Sequence, residues 1–139
     1  CEAGQHAVTL MLADTSAWIA YQRRQLTPTS VALRGAIDAE TAATTDVVAL
    51  ELLAGIEANR VEDWTALLAS TVHLAQFAWA DAESAAAIYR TCRRAGFTPR
   101  SLVDCLVAAI ALRYEATVLH DDRDYDAIAE VCGVRVTRG

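Results

Sequence analysis

Five acidic residues stand out in this 139-residue chain by where they fall: Asp14, Glu51, Asp104, Asp122 and Asp124. Asp14 directly follows the apolar run His6–Ala13, and Asp121, Asp122 and Asp124 follow the β-branched run Thr117–Leu119. Glu51 and Asp104 lie on stretches with helical patterning. Carboxylates gathered from separate segments suit one chemistry well. Hard divalent cations take oxygen ligands, and Mg²⁺ keeps several waters while accepting only a few carboxylates; Mn²⁺ suits the same oxygen set. Taken singly, each acid has a plainer use. Asp14 fits a turn or a helix cap, Glu51 a solvent-facing helix position, and Asp104 the reciprocal cap Ser101-x-x-Asp104. Asp122 and Asp124 fit a loop or the first turn of a helix, where acids complement the dipole. Only joint placement favours the cation.

The elements that would bring them together alternate in type. His6–Ala13 reads as a strand, stopped by Asp14-Thr15-Ser16 ahead of a helix Ala17–Gln25. Thr27-Pro28 opens a second helix, with proline at its first position. Thr44–Val48 reads as a short strand, with Asp46 capping a helix that carries Leu50, Leu53 and Ile56. Glu62–Ser70 reads as a helix and Val72–Ala75 as a strand. Asp81 begins the helix Ala82–Ala95, closed by Gly96, and Ser101 begins another running to Tyr114. Thr117–Leu119 is a strand, Tyr125–Val131 a helix and Val134–Thr137 a last strand. Strands separated by ten or more helical residues indicate a parallel sheet covered by helices on both faces. An open sheet of that kind binds ligands at the carboxyl ends of its strands, where Asp14 and Asp122 fall.

Other chemistries lack their residues. The chain has no Gly-x-x-x-x-Gly-Lys-Ser/Thr phosphate loop, no Gly-x-Gly-x-x-Gly after the first strand, no Gly-x-Ser-x-Gly elbow and no His-Glu-x-x-His. A phosphate-accepting receiver domain shares acidic strand ends but needs a lysine, and all twelve cations here are arginines. Cys1, Cys92, Cys105 and Cys132 show no metal-ligand rhythm, and the last three sit among apolar residues as small hydrophobes. No apolar run approaches the roughly 18 residues a membrane span requires, and no signal peptide is visible. A cytoplasmic protein is expected, with one domain over residues 7–139 and residues 1–6 an extension.

Leu-Ala-Asp14-Thr-Ser-Ala-Trp, Glu51-Leu-Leu-Ala-Gly55, Arg-Ser-Leu-Val-Asp104-Cys-Leu-Val-Ala-Ala and His-Asp-Asp122-Arg-Asp124-Tyr, in that order, resemble the PIN domain. They are most similar to its VapC-type toxins from bacterial toxin–antitoxin operons, from about Leu12 to Thr137. The resemblance implies a single α/β domain with a doubly wound parallel sheet, acting as a Mg²⁺- or Mn²⁺-dependent endoribonuclease. It further implies a homodimer, and neutralisation by a cognate VapB-type antitoxin. By position, Asp14, Glu51, Asp104 and Asp122 match the family's four acids and Asp124 an auxiliary one. Asp14, Asp104 and Asp122 are then the expected metal ligands. Thr15 and Ser16 match its small hydroxyl positions and, with Arg100 and His120, are the expected RNA contacts. His120 departs from the pattern, standing where a threonine or serine is common. It reads either as a polar strand-end residue or as a contact to a phosphate or a metal-bound water.

A formal charge of −6 argues against a polyanionic partner, yet setting aside the five candidate acids leaves the rest of the chain close to neutral. Arg23, Arg24, Arg90, Arg93, Arg94 and Arg100 are available to RNA phosphates; a solvated helix face is the plainer use of each. Arg100, in the same turn as Asp104, is the best placed. Trp18 fits core packing, antitoxin docking or base stacking, and His73 fits a structural role. Two other readings stay open: a nuclease acting on DNA or in RNA processing, and a non-catalytic module on the same fold. The last would have lost one or more acids, and all are present.

Overall fold

The computed structural model describes residues 8–76 and 78–139, so the expected extension 1–6, the domain start at residue 7 and the first two residues of the expected strand His6–Ala13 lie outside it. Five strands form one sheet: β1 (Met11–Ala13), β2 (Ala42–Thr44), β3 (Val72–His73), β4 (Thr117–Leu119) and β5 (Val136–Thr137). Their order is β3-β2-β1-β4-β5, and every pairing is parallel. In register, Leu12 lies opposite Ala43 on one side and Val118 on the other, and all three are fully buried. A strand covered on both faces carries apolar residues at successive positions rather than alternating ones. Leu12-Ala13, Ala42-Ala43 and Val118-Leu119 do so, and the alanines let the covering helices approach closely.

Those helices are α1 (Thr15–Gln22), α2 (Pro28–Asp38), α3 (Asp46–Ala54), α4 (Val61–Ala69), α5 (Ala78–Arg94), α6 (Leu102–Tyr114) and α7 (Asp124–Cys132), with a 3₁₀ turn at Ala58–Arg60. The helix start at Thr27-Pro28 is as read from sequence: Thr27 and Ser30 form a reciprocal capping box with proline following the cap. Gly96 and Gly133, beyond the ends of α5 and α7, hold positive φ of 91° and 77°, where a side chain would be strained.

Several boundaries move. The second strand is Ala42–Thr44 rather than Thr44–Val48, because Val47 and Val48 join α3 and Val48 is fully buried there. Burial outweighs β-propensity at that point. Asp46 does not cap α3. Thr45 occupies the cap position and donates to the Leu74 carbonyl at 2.8 Å, while Asp46 pairs with His73 at 2.6 Å. Asp81 likewise does not start its helix; it lies inside the first turn of α5, 2% exposed, and takes a two-pronged contact from Arg113 of α6 at 2.7 and 3.0 Å. That pair ties α5 to α6 across the interface both helices bury.

Trp18 is wholly buried and meets Tyr21 and Trp64 edge to face at 5.9 and 6.0 Å. It is therefore a core residue that locks α1 against α4, not a docking or stacking surface. Trp64 is buried too, whereas Trp79 stands 79% exposed. No helix among the described residues is long and apolar enough to cross a membrane.

Candidate active site

From β1 the chain builds the sheet outward through β2 and β3, and later returns to lay β4 on the other side of β1. The crevice of an open α/β sheet opens where that direction reverses, outside the carboxyl ends of the strands. Here the reversal lies between β1 and β4. Asp14 is the residue after β1 and its N–H bonds the Leu119 carbonyl at 2.9 Å; His120 to Asp124 follow β4.

Asp14 caps α1 and is 4% exposed, with both carboxylate oxygens engaged. Oδ2 accepts from the Ser16 N–H at 3.0 Å and the Ser16 hydroxyl at 2.7 Å, and Oδ1 accepts from the Tyr125 hydroxyl at 2.7 Å. Ser16 Oγ in turn accepts the Asp121 N–H at 2.9 Å, joining the two strand ends. Thr15 points to the neighbouring helix and donates to Glu51 Oε1 at 2.8 Å. The two hydroxyls thus order the acids around them. Glu51 is exposed and reaches the site through Thr15, so it stands at the rim.

Asp104 does not complete the reciprocal cap suggested by Ser101-x-x-Asp104. Ser101 Oγ accepts the Val103 N–H, and Asp104 Oδ1 lies 3.4 Å from the Tyr125 hydroxyl. Burial, and then the charges of Asp14, Asp122 and Asp124, push its carboxyl up to about 7, while the Tyr125 contact pulls the other way. Three acids from two other segments act on a fourth, and the pocket holds more negative charge than it neutralises.

Asp122 and Asp124 are held by Arg100. The guanidinium reaches Asp122 Oδ1 at 2.7 Å and Asp124 Oδ2 at 3.1 Å, and the Arg100 backbone N–H also donates to Asp124 Oδ2 at 3.1 Å. Asp124 is buried, whereas the Arg100 side chain remains 65% exposed. Its hydrogen bond with Asp124 and the charge of Asp122 hold its guanidinium firmly protonated.

The expectation of a phosphate contact from His120 does not hold. The ring is fully buried beneath the site, its Nδ1 accepts the Asp122 N–H at 3.1 Å, and burial lowers its pKa. Its packing partner is the Tyr125 ring, 5.1 Å away between centroids. Tyr125 is the member of this cluster that sequence reasoning missed. The available signal was a phenol one residue after Asp124, at the start of a helix that must pack on β4: a buried hydroxyl needs a partner, and the nearby partners are acids.

The donor chemistry fits a hard divalent ion: carboxylates only, clustered, and incompletely neutralised. The side chains do not converge as they stand. Among the described residues no three acids, histidines or cysteines are close enough to share one ion, and Arg100 and Tyr125 account for where four of the carboxylates point.

One groove adjoins this region, and a second lies further along α1, away from the acids. The first, of about 390 Å³, begins at Thr15 and Glu51 and continues past Arg23 and Arg60. The other, of about 500 Å³, runs between α1, α2 and α4 along Tyr21, Leu26, Val31, Arg34 and Trp64, with Leu26 93% and Val31 55% exposed.

Comparison with known proteins follows the same lines. The PIN domain family matches residues 11–131. VapC ribonuclease Mb1587 of Mycobacterium bovis and ribonuclease VapC11 of Mycobacterium tuberculosis are each 36% identical over 129 residues, covering 91% of this chain and 96% of theirs. The fold is similar to the VapBC complex of Salmonella typhimurium solved with DNA (TM-score 0.71, 15% identity, 93% of this chain and 97% of that one). It is also similar to VapBC2 of Rickettsia felis bound to a promoter DNA fragment (TM-score 0.72, 13% identity, 93% and 98%).

Proposed function

The chain belongs to the PIN-domain family, and from that premise we propose that it is a divalent-metal-dependent endoribonuclease serving as the toxin of a toxin–antitoxin pair, in the cytoplasm. The observation that carries the reading is the acid cluster at the β1/β4 reversal, where burial, and then the charges of Asp14, Asp122 and Asp124, raise Asp104. The relatives at 36% identity are ribonucleases by name.

Asp14, Asp104 and Asp122 would hold Mg²⁺ or Mn²⁺. When bound, such an ion supplies positive charge at the scissile phosphate and acidifies nearby water. Hydrolysis joins a water oxygen to phosphorus and breaks one phosphorus–oxygen bond of the backbone. Glu51, at the rim beside Thr15, orients the attacking water. Asp124 acts at the margin by fixing Arg100. Once drawn off the acids, Arg100 contacts the RNA backbone as a bidentate phosphate fork. Arg23 and Arg60, along the groove leading from Glu51, carry the flanking phosphates. Thr15 and Ser16 keep Glu51 and Asp14 in place.

The partner is a VapB-type antitoxin, and the two structural neighbours solved as VapBC complexes support that. Its apolar segment suits the α1–α2–α4 groove, where Leu26 and Val31 lie open. An arginine presented by its tail would neutralise the carboxylates as Arg100 does on Asp122 and Asp124. Exposed Leu50 and Trp79 leave apolar surface for a homodimer.

Incubating the purified chain with single-stranded RNA and with DNA of the same sequence, with and without Mg²⁺, tests the activity. RNA cleavage that EDTA abolishes is expected, and cleavage of DNA alone contradicts the reading. Co-expression with the gene immediately upstream tests the partner: a complex should form and suppress cleavage, and Leu26→Asp should weaken it without altering cleavage by the free chain.

A further inference from the structure

Among the described residues, the Tyr125 hydroxyl is the one that meets two of the proposed metal ligands at once. Its ring is fully buried, and its oxygen stands 2.7 Å from Asp14 Oδ1 and 3.4 Å from Asp104 Oδ1. A phenol has a single proton to donate; the contact to Asp14 is the shorter and stronger, and Asp104 shares it weakly. Asp14 is thereby fixed from both ends, by Tyr125 on one oxygen and Ser16 on the other. Asp104 arrives from α6 and meets the same phenol oxygen at the longer distance. The ring cannot swing away, because His120 packs on it and His120 is itself pinned by the Asp122 N–H. One buried pair therefore links the strand-end acid, the α6 acid and the loop acid.

We propose that Tyr125 is a positioning residue for the divalent ion: its hydroxyl, in contact with both Asp14 and Asp104, keeps the two carboxylates beside one another, so that an ion has only to draw them, with Asp122, onto one point. The inference rests on the reading of this site as metal-dependent. Groups that orient metal ligands without touching the metal typically change metal affinity by about 10–100-fold when removed. Tyr125 contributes no bond to the ion, so its loss acts on occupancy rather than on chemistry at the occupied site.

The test is Mn²⁺ binding to the full chain by calorimetry, parent against Tyr125→Phe, with RNA cleavage followed as a function of Mn²⁺. The expected result is an Mn²⁺ dissociation constant about 10–100-fold higher, with cleavage returning nearly to the parent rate at saturating Mn²⁺. A purely structural role would lower the rate at every Mn²⁺ concentration and leave the affinity alone. Equal affinities overturn the proposal. A second measurement needs no substitution: with tyrosine ring-labelled parent protein, Mg²⁺ should shift the resonance of one of the four tyrosines. A spectrum in which none moves while Mg²⁺ binds also overturns it. If the parent binds neither Mn²⁺ nor Mg²⁺, the metal-dependent reading fails, and this inference with it.

Discussion

Replacing Asp104 with asparagine should stabilise the metal-free protein, and should do so far more at pH 8 than at pH 5. The folded chain holds this carboxyl at about 7, against 3.8 for an ordinary aspartate. Between those values the unfolded chain has released the proton and the folded chain has kept it, so stability falls as pH rises through the window. Each pH unit of that window is worth about 1.36 kcal/mol. The full loss therefore reaches at most roughly 4 kcal/mol above pH 7, with about a third of it already incurred at pH 5. Partial exposure of Asp104 to solvent screens the repulsion, and about half that size is realistic. The Asp104→Asn substitution keeps the shape without the charge. The variant's advantage over the parent should therefore grow by about 1–2 kcal/mol between pH 5 and pH 8, a urea midpoint difference of about 0.5–1 M for a domain of this size. Urea unfolding in EDTA, followed by tryptophan fluorescence at both pH values, measures it. Adding Mg²⁺ at pH 8 should restore the parent more than the variant. Parallel loss of stability by the two proteins from pH 5 to pH 8 would refute the account of a charge-crowded pocket.

Two further outcomes follow from the same contacts. Arg100→Gln removes the built-in cation from Asp122 and Asp124, so Mn²⁺ should bind more tightly while the KM for RNA rises; unchanged Mn²⁺ affinity in calorimetry would count against competition between guanidinium and metal. Arg113→Met takes from buried Asp81 its two-pronged partner and should lower stability by about 3 kcal/mol, read as a urea midpoint, with cleavage by the folded fraction unaffected.

The site is legible in sequence where position along the chain decides it. Asp14 and Asp122 follow apolar runs whose strand character is unambiguous, and a parallel sheet brings those carboxyl ends to one edge. Asp104 is legible as a helix residue, but its orientation is not: the same Ser101-x-x-Asp104 spacing serves a cap or a site, and the choice depends on Tyr125, which arrives from a later segment. His120 misleads for a related reason. A polar residue at a strand end usually reaches water, but here α2 and the C-terminal strand close over it, with the Thr29 hydroxyl near its carbonyl and Thr137 accepting its N–H. The second strand shifts because Val47 and Val48 carry β-propensity into a helix whose buried face needs them. Nearness in sequence pairs Arg100 with Asp104, while its actual partners, Asp122 and Asp124, lie more than twenty residues away, a pairing only the folded chain reveals.

The central claim, that these acids form one metal-dependent ribonuclease site, is tested most directly by the rate of RNA cleavage across a Mg²⁺ titration, parent against Asp14→Asn. Asparagine retains an oxygen to accept from Ser16, so the fold should survive, as circular dichroism would show. Cleavage should fall by on the order of 100-fold or more, since loss of a ligand should exceed the effect of losing a group behind it, and saturating Mg²⁺ should not restore it. A folded Asp14→Asn protein that cleaves RNA at the parent rate in saturating Mg²⁺ would contradict the account.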